Sequence, residues 1–180
     1  GTHTAHAMII ADELEANWED ISVVTTSLID SEYKTNSSIG VATGGNNGIK
    51  LWWQRLAEIG AGTRELLVEA GARETRVELE KCEAKNGYVL HRSSGQKVSY
   101  GQLAESASKL KPSSSPILKS KSHWQYIGKA MPRLDIPSKV NGSATYGADV
   151  RLPDTGYAAG KLSPFFGGEI KTYDATPALA

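Results

Sequence analysis

A glycine-rich loop is the first feature of the sequence whose residue types could do chemistry. Residues 35–53 read TNSSIGVATGGNNGIKLWW, in which glycines and small polar residues lead into an apolar segment that begins with two tryptophans. Glycines let backbone N–H groups come close to an anion, and the positive end of a following helix adds attraction. The loop is therefore a candidate backbone site for an anion or an oxygen-rich cofactor.

Two well-known phosphate-binding patterns do not fit this loop. The Walker pattern requires Gly-Lys followed by Ser or Thr, whereas an isoleucine separates Gly48 from Lys50. The dinucleotide pattern requires Gly-x-Gly-x-x-Gly directly after a strand, and the glycines of the loop do not have that spacing. From spacing alone, two interpretations stay open: a backbone site for an anion, or a tight turn at Gly44 and Gly45 that caps the following helix.

The other side chains with chemical potential have simpler interpretations. His3 and His6 are spaced i, i+3 on a predicted helix, but no third metal ligand accompanies them. Cys82, the single cysteine, has no neighbouring histidine and carboxylate pair, which favours a small buried residue over a nucleophile. His91 and His123 are isolated in the sequence. We therefore predict no metal ligand and no catalytic residue among the 180 residues.

The composition argues against several classes of protein. The chain has 20 lysines and arginines and 20 aspartates and glutamates, without a long run of either sign, which argues against nucleic acid as a partner. Its apolar windows are shorter than the roughly 20 residues that span a bilayer, so we expect no membrane span. A single cysteine excludes an internal disulfide.

The first half of the chain shows the periodicities of mixed helix and strand. Residues 4–15 have helical spacing, with Asp12 and Glu13 predicted to face solvent, and the β-branched residues 21–29 predict a strand. Helical spacing returns over residues 48–74, where three glycines are expected to weaken or kink the helix. This order of elements predicts an α+β or α/β layer.

Turn signals organise the next part of the chain. Asn86-Gly87 and Ser94-Gly95 lie between short alternating segments, which predicts a small hairpin or meander. A short helix is predicted over residues 100–110, with Leu103, Ala104 and Ala107 facing inward. We therefore predict one compact α+β unit over residues 1–110.

The remaining sequence predicts a linker and a second unit. Residues 111–122, KPSSSPILKSKS, are rich in proline, serine and lysine and have no periodicity, which is typical of a flexible linker. A continuous helix is not expected there, because proline cannot sustain one. Residues 123–180 alternate turn residues with brief apolar stretches, so we predict a mainly β and incomplete unit.

Four stretches in succession resemble a single family. They are GTHTAHAMIIADELEANWEDI, ATGGNNGIKLWWQRLAEIGAGTRELLVEAGA, NGYVLHRSSGQKVSYGQLAE and YIGKAMPRLDIPSKVNGSATYGADVRLP. In this order they resemble the molybdopterin-binding large subunit of the xanthine dehydrogenase and aldehyde oxidase family, and within it the isoquinoline 1-oxidoreductase β-subunits. The resemblance implies a molybdenum-cofactor-binding α/β layer followed by the start of the family's hammerhead module, a β-rich segment here.

The resemblance also implies which residues contact the cofactor. Gly1 and Thr2 match the end of a family turn, Gly-Gln-Gly, that contributes to the pterin-dinucleotide site, and the glutamine of that turn has no match here. Thr43, Gly44 and Gly45 match a loop of small residues that packs its backbone beside the molybdenum ligands. The glycines would then be needed because side chains would collide with the cofactor.

The function implied by the resemblance is that of a molybdenum hydroxylase. Such an enzyme oxidises an aldehyde or N-heteroaromatic carbon with oxygen from water, carries molybdopterin cytosine dinucleotide and works with a small [2Fe–2S] subunit. The catalytic glutamate of the family has no counterpart in these residues, so we expect the chain by itself to be an inactive fragment that binds the cofactor weakly or not at all. The alternative is a truncated, non-catalytic relative that acts as a structural or binding module. The resemblance implies a bacterial protein and favours the periplasm over the cytoplasm.

Overall fold

A computed structural model describes residues 1–24, 45 and 47–179 of the chain. Contacts between residues divide the chain into two units, Gly1–Ser143 and Ala144–Ala180. The division differs from the predicted one, because residues 111–122 belong to the first unit instead of separating two units. No helix runs through Pro112–Pro116, as the prolines predict.

Two helices form the frame of the first unit. Helix α1 comprises Thr2–Leu14, the short helix α2 comprises Asn47–Lys50, and helix α3 comprises Trp53–Thr75. A Cβ atom at Gly60 of α3 would lie 2.9 Å from both the Glu13 Cβ and the Ile10 carbonyl oxygen of α1. Gly60 therefore permits the close packing of the two helices, and α3 runs as one helix of 23 residues despite its glycines.

A three-stranded antiparallel sheet follows α3. Its strands are β1 (Cys82–Lys85), β2 (Tyr88–His91) and β3 (Lys97–Ser99), paired in that order. Asn86 and Gly87 join the first two strands with φ angles of 48° and 79°, which are typical of a tight hairpin turn. The predicted meander is confirmed.

Helix α4 closes the apolar core of the first unit. It comprises Tyr100–Ser108 and begins with a capping box, in which the side chains of Ser99 and Gln102 each bind the backbone N–H of the other residue. Leu103 and Ala107 are buried as predicted, whereas Ala104 is exposed, because the short helix buries only one narrow face. The buried core joins α3, the sheet and α4 and contains Leu67, Ala70, Ala72, Cys82, Val89, Leu103 and Ala107.

The later residues form short helical turns and extended segments. Helix α5 comprises Ile136–Val140, and in the second unit α6 comprises Thr176–Leu179. Within residues 123–179 the structure has no strand, in contrast to the predicted β-rich segment. Large apolar side chains of the second unit, such as Leu162 and Phe166, are exposed, so this segment lacks the packed neighbours that stabilise strands.

The predicted strand over residues 21–29 can be compared with the structure only in its first four residues. Residues 21–24 have no regular secondary structure, and residues 25–29 lie outside the described part of the chain. The described residues combine helices with one small antiparallel sheet, and the assignment of this arrangement to a molybdenum-cofactor layer and a hammerhead module stays a prediction.

Candidate functional site

The first predicted contact segment is the start of α1. Gly1 is the N-cap residue and is exposed, and α1 begins without a side-chain cap and without an acidic residue in its first turn. The first N–H groups of a helix have no partner within the helix and carry a partial positive charge. A Cβ atom at Gly1 would have no heavy atom of the described residues within 4 Å.

The second predicted contact segment is the glycine-rich loop. Gly45 is exposed and has a φ of +56°, a left-handed conformation that glycine adopts without strain. Thr43 and Gly44 lie outside the described residues. The conformation of Gly45 fits a tight turn ahead of α2 whether or not a ligand binds there, so both interpretations of the loop stay open.

A side-chain hydrogen bond connects these two segments. The Nε2 atom of His6 lies 2.7 Å from the carbonyl oxygen of Gly48, which accepts the bond. His6 is about one turn along α1 from Thr2, and Gly48 follows Gly45 by three residues in the sequence. The structure therefore brings the start of α1 and the end of the loop onto neighbouring elements.

Residues 117–134 form a segment, here called the strap, that lies along α1. The carboxylate of Asp12 accepts hydrogen bonds from three successive backbone N–H groups of the strap, those of Gln125 at 2.5 Å, Tyr126 at 3.1 Å and Ile127 at 2.7 Å. The prediction that Asp12 and Glu13 face solvent is wrong, since they are 0% and 3% exposed. Their burial is possible because backbone donors replace water.

Charged side chains extend this contact toward α3. The carboxylate of Glu13 accepts the backbone N–H of Lys119 at 3.0 and 3.2 Å and lies 3.4 Å from the guanidinium of Arg64. The ammonium of Lys119 donates to the Asp12 carbonyl oxygen at 2.9 Å and forms an ion pair with Glu15. Residues that the sequence assigns to a flexible linker are thus bound to two helices.

Aromatic contacts add to the polar ones. The ring of Trp124 packs edge-on against Trp53 with centroids 5.7 Å apart, and Tyr126 packs against Trp18 at 5.3 Å. The Nε1 atom of Trp124 is buried and has no acceptor among the described residues. Further along, the backbone N–H of Leu134 donates to the hydroxyl of Thr4 at 3.1 Å. The strap therefore contacts both α1 and the start of α3.

Cys82 lies in the wall of a cavity of about 470 Å³ between α3, β1 and the strap. Burial raises the pKa of the Cys82 thiol, and the nearby charge of Arg92 opposes this only in part. Opposite charges are paired within the wall, Arg92 with Glu83 at 3.1 Å and Lys119 with Glu15. The interpretation of Cys82 as a small buried residue is confirmed.

The histidines show no metal site. His3 and His123 are exposed, and His91 is half-buried with its Nδ1 atom 2.6 Å from the Ser94 hydroxyl. Among residues 1–24, 45 and 47–179, no group of three or more His, Cys, Asp or Glu side chains could hold a metal ion. The same residues include no helix that is both long and apolar enough to span a bilayer.

Comparison with known proteins shows several relatives. No family model matches the chain. The beta subunit of isoquinoline 1-oxidoreductase from Brevundimonas diminuta is 31% identical over 93% of this chain. A membrane-bound aldehyde dehydrogenase [pyrroloquinoline-quinone] of Gluconacetobacter polyoxogenes is 31% identical over 97% of it. One subunit of the nicotinate dehydrogenase of Pseudomonas putida is 25% identical over all of it.

The relatives are much longer than this chain. The matched region makes up 26% of the isoquinoline enzyme subunit, 22% of the aldehyde dehydrogenase and 15% of the nicotinate dehydrogenase subunit. The chain therefore spans about a quarter or less of the curated relatives that it matches. Two of the three names describe one subunit of a larger enzyme.

Proposed function

The chain belongs to the family of molybdopterin-type oxidoreductase subunits, and we propose from this membership that it forms part of the cofactor-binding region of such an enzyme. The main support is the match of at least 93% of the chain to three oxidoreductases. The proposal extends to the substrate class, an aldehyde or an N-heteroaromatic compound, because the names of the relatives include both.

The described residues fit the phosphate-bearing part of a molybdopterin nucleotide. The start of α1 has N–H groups that no side chain among the described residues caps. Gly45 adds exposed backbone in a left-handed turn on the neighbouring element. Backbone N–H groups at a helix start are suitable donors to phosphate oxygens.

The proposed role of the chain's own residues is to bind and orient. The start of α1 and the hydroxyl of Thr2 would hold the nucleotide part, while Thr43, Gly44 and Gly45 would place bare backbone beside the metal-bearing part. The cofactor supplies the two-electron redox chemistry. We propose the cytosine dinucleotide form, a small [2Fe–2S] partner subunit and a periplasmic location from the resemblance alone.

The experiment compares two glycines that share backbone geometry. Gly45 and Gly95 both occupy exposed turns, with φ angles of +56° and +72°. The Gly95 turn joins β2 to β3 and belongs to neither predicted contact segment. Gly45→Val and Gly95→Val should therefore each strain the backbone by about 1 kcal/mol, while only the first belongs to the proposed cofactor contact. A Cβ atom at Gly45 would also lie 3.3 Å from the Asn47 amide nitrogen, and that flexible side chain can move aside. Both variants are made in the whole protein that the gene encodes.

Molybdenum and pterin are measured per protein chain, beside a melting curve. We expect Gly45→Val to lose most of the molybdenum and Gly95→Val to keep it, with similar melting temperatures for the two variants. An equal molybdenum content in the two variants would mean that Gly45 is needed only for the turn and does not contact the cofactor. Because the name of one relative specifies pyrroloquinoline quinone, the same samples are assayed for that quinone. Finding it in place of molybdenum would contradict the proposal, and finding neither would favour the structural or binding module.

A further inference from the structure

We propose that Asp12 is a positioning residue for the candidate cofactor site. By holding residues 125–127 of the strap on α1, its carboxylate seats Trp124 against Trp53, at the start of the helix that follows the glycine-rich loop. This inference rests on the proposed function, which identifies the start of α1 and the glycine-rich loop as a cofactor site. The contacts that carry it are all within the first unit of the chain.

The geometry at Asp12 requires a carboxylate. Oδ1 accepts the N–H of Gln125 at 2.5 Å, and Oδ2 accepts the N–H groups of Tyr126 and Ile127 at 3.1 and 2.7 Å. An asparagine has the same shape, but its NH₂ group would face a backbone N–H in either orientation of the amide. Asp12→Asn therefore leaves at least one of the three strap N–H groups facing another donor, while the volume of the side chain stays almost unchanged.

The attachment at Asp12 is connected to both segments of the candidate site. Trp124 directly precedes the three bound residues, and its ring packs on Trp53, the first residue of α3. Helix α2 and the exposed turn at Gly45 lie just before α3 in the chain. On the other segment, the N–H of Leu134 binds the hydroxyl of Thr4 in the first turn of α1.

Asp12 cannot act on a bound molecule directly. It is 0% exposed, and both of its carboxylate oxygens accept hydrogen bonds from the strap. Its effect on cofactor binding must therefore pass through the strap, in particular through Trp124. Asp12 therefore has a positioning role and not a catalytic one. The role can be measured as a change at Trp124 and at the start of α3 when Asp12 is substituted.

The test uses the protein as its gene encodes it, purified with the subunits that accompany it. Asp12→Asn is compared with Leu103→Ala, which removes side-chain volume from a fully buried site in the core around α4. A second variant, Trp124→Leu, removes the contact with Trp53 but keeps the carboxylate. Backbone hydrogen exchange, melting temperature and molybdenum per chain are measured for each.

For Asp12→Asn we expect backbone exchange to accelerate about tenfold or more at residues 125–127 and also at residues 47–53. Trp124→Leu should accelerate exchange at residues 47–53 while residues 125–127 stay protected. Molybdenum should fall in both variants and be retained in Leu103→Ala, even if the latter melts at an equal or lower temperature. If Asp12→Asn does not fold, Trp124→Leu alone tests whether the strap positions residues 47–53 and thereby supports cofactor binding.

Two results would overturn the inference. One is an effect of Asp12→Asn on exchange at residues 125–127 alone, with residues 47–53 unchanged, and the other is an equal molybdenum loss in Leu103→Ala. Failure of the proposed function is distinguishable, because the unmodified protein would then contain no molybdenum. In that case the exchange measurements still decide whether Asp12 positions the start of α3.

Discussion

The hairpin and the strap are attached to the helical frame by different forces. The hairpin and α4 pack on α3 through apolar side chains, with Leu67, Val89 and Leu103 in the buried core. The strap is attached to α1 mainly through buried charges and backbone donors, with Asp12 and Glu13 at the centre. Apolar packing depends on volume, whereas the carboxylate contacts depend on the exact donors and acceptors.

The largest effect is expected on the strap side. Asp12→Leu leaves three backbone N–H groups of the strap without an acceptor, and the leucine cannot satisfy them. We expect a loss of about 4 kcal/mol in the free energy of unfolding, measured by urea denaturation. A loss below about 1 kcal/mol would mean that an apolar residue can replace the carboxylate and that the two sides do not differ.

A smaller loss is expected in the core beside the hairpin. Leu103 is 0% exposed, so Leu103→Ala should lower the free energy of unfolding by about 3 kcal/mol, through lost burial and a residual cavity. Leu103→Met, which nearly conserves volume, serves as the control and should cost less than about 1.5 kcal/mol. If methionine costs as much as alanine, packing on this side would also depend on exact shape.

Glycines of α3 give a third comparison. A Cβ atom at Gly71 would lie 2.7 Å from Cγ1 of Val89 in β2, whereas at Gly62 its nearest neighbour would be Pro116 at 3.8 Å. Gly71→Ala should therefore cost about 2 kcal/mol by pushing the sheet away from α3. Gly62→Ala should be neutral or stabilising by up to about 1 kcal/mol, because alanine favours the helix. Equal melting temperatures for the two variants would contradict the close approach of the sheet.

The smallest effect concerns Tyr100, whose hydroxyl donates to the Leu14 carbonyl oxygen at 2.7 Å. Tyr100→Phe should cost about 1 kcal/mol at neutral pH. Burial, helped by the negative charge of Glu15, raises the pKa of the Tyr100 phenol above its ordinary value of 10.0. The stability that this shift contributes is present below pH 10 and is lost as the pH rises further, since the unfolded chain then ionises more readily.

The difference between Tyr100→Phe and the unmodified protein should therefore shrink above pH 10, because phenylalanine does not ionise. Chemical denaturation at a series of pH values measures the difference. A difference that stays constant through this range would show that the phenol ionises as easily in the folded protein as in the unfolded chain.

Local signals in the sequence predict the hairpin and α4 well, and they predict the contacts between the strap and α1 poorly. Asn86-Gly87 predicts the turn, and the apolar spacing of α4 predicts Leu103 and Ala107, because the information lies within a few residues. Asp12 and Glu13 look like a solvated helix face, since adjacent acidic residues usually are one. Their partners in the strap lie about a hundred residues away, as with Gln125, which is 113 residues from Asp12. No local pattern indicates such a contact.

The candidate site was predictable only through resemblance. The spacing of the glycines left both a turn and an anion site open, and the left-handed φ of Gly45 is compatible with both. The hydrogen bond from His6 to Gly48 could not be read from the sequence, because the two residues are 42 positions apart. The match to the three relatives supports the proposal of a shared role for these residues, which their types alone do not specify.

Metal and pterin analysis of the purified protein, as its gene encodes it, tests the central proposal most directly. The protein is purified without added cofactor, its molybdenum is quantified by mass spectrometry, and its pterin is identified after oxidation by fluorescence and chromatography. We expect about one molybdenum and one molybdopterin nucleotide for each chain. A folded protein that contains neither molybdenum nor pterin would contradict the proposal.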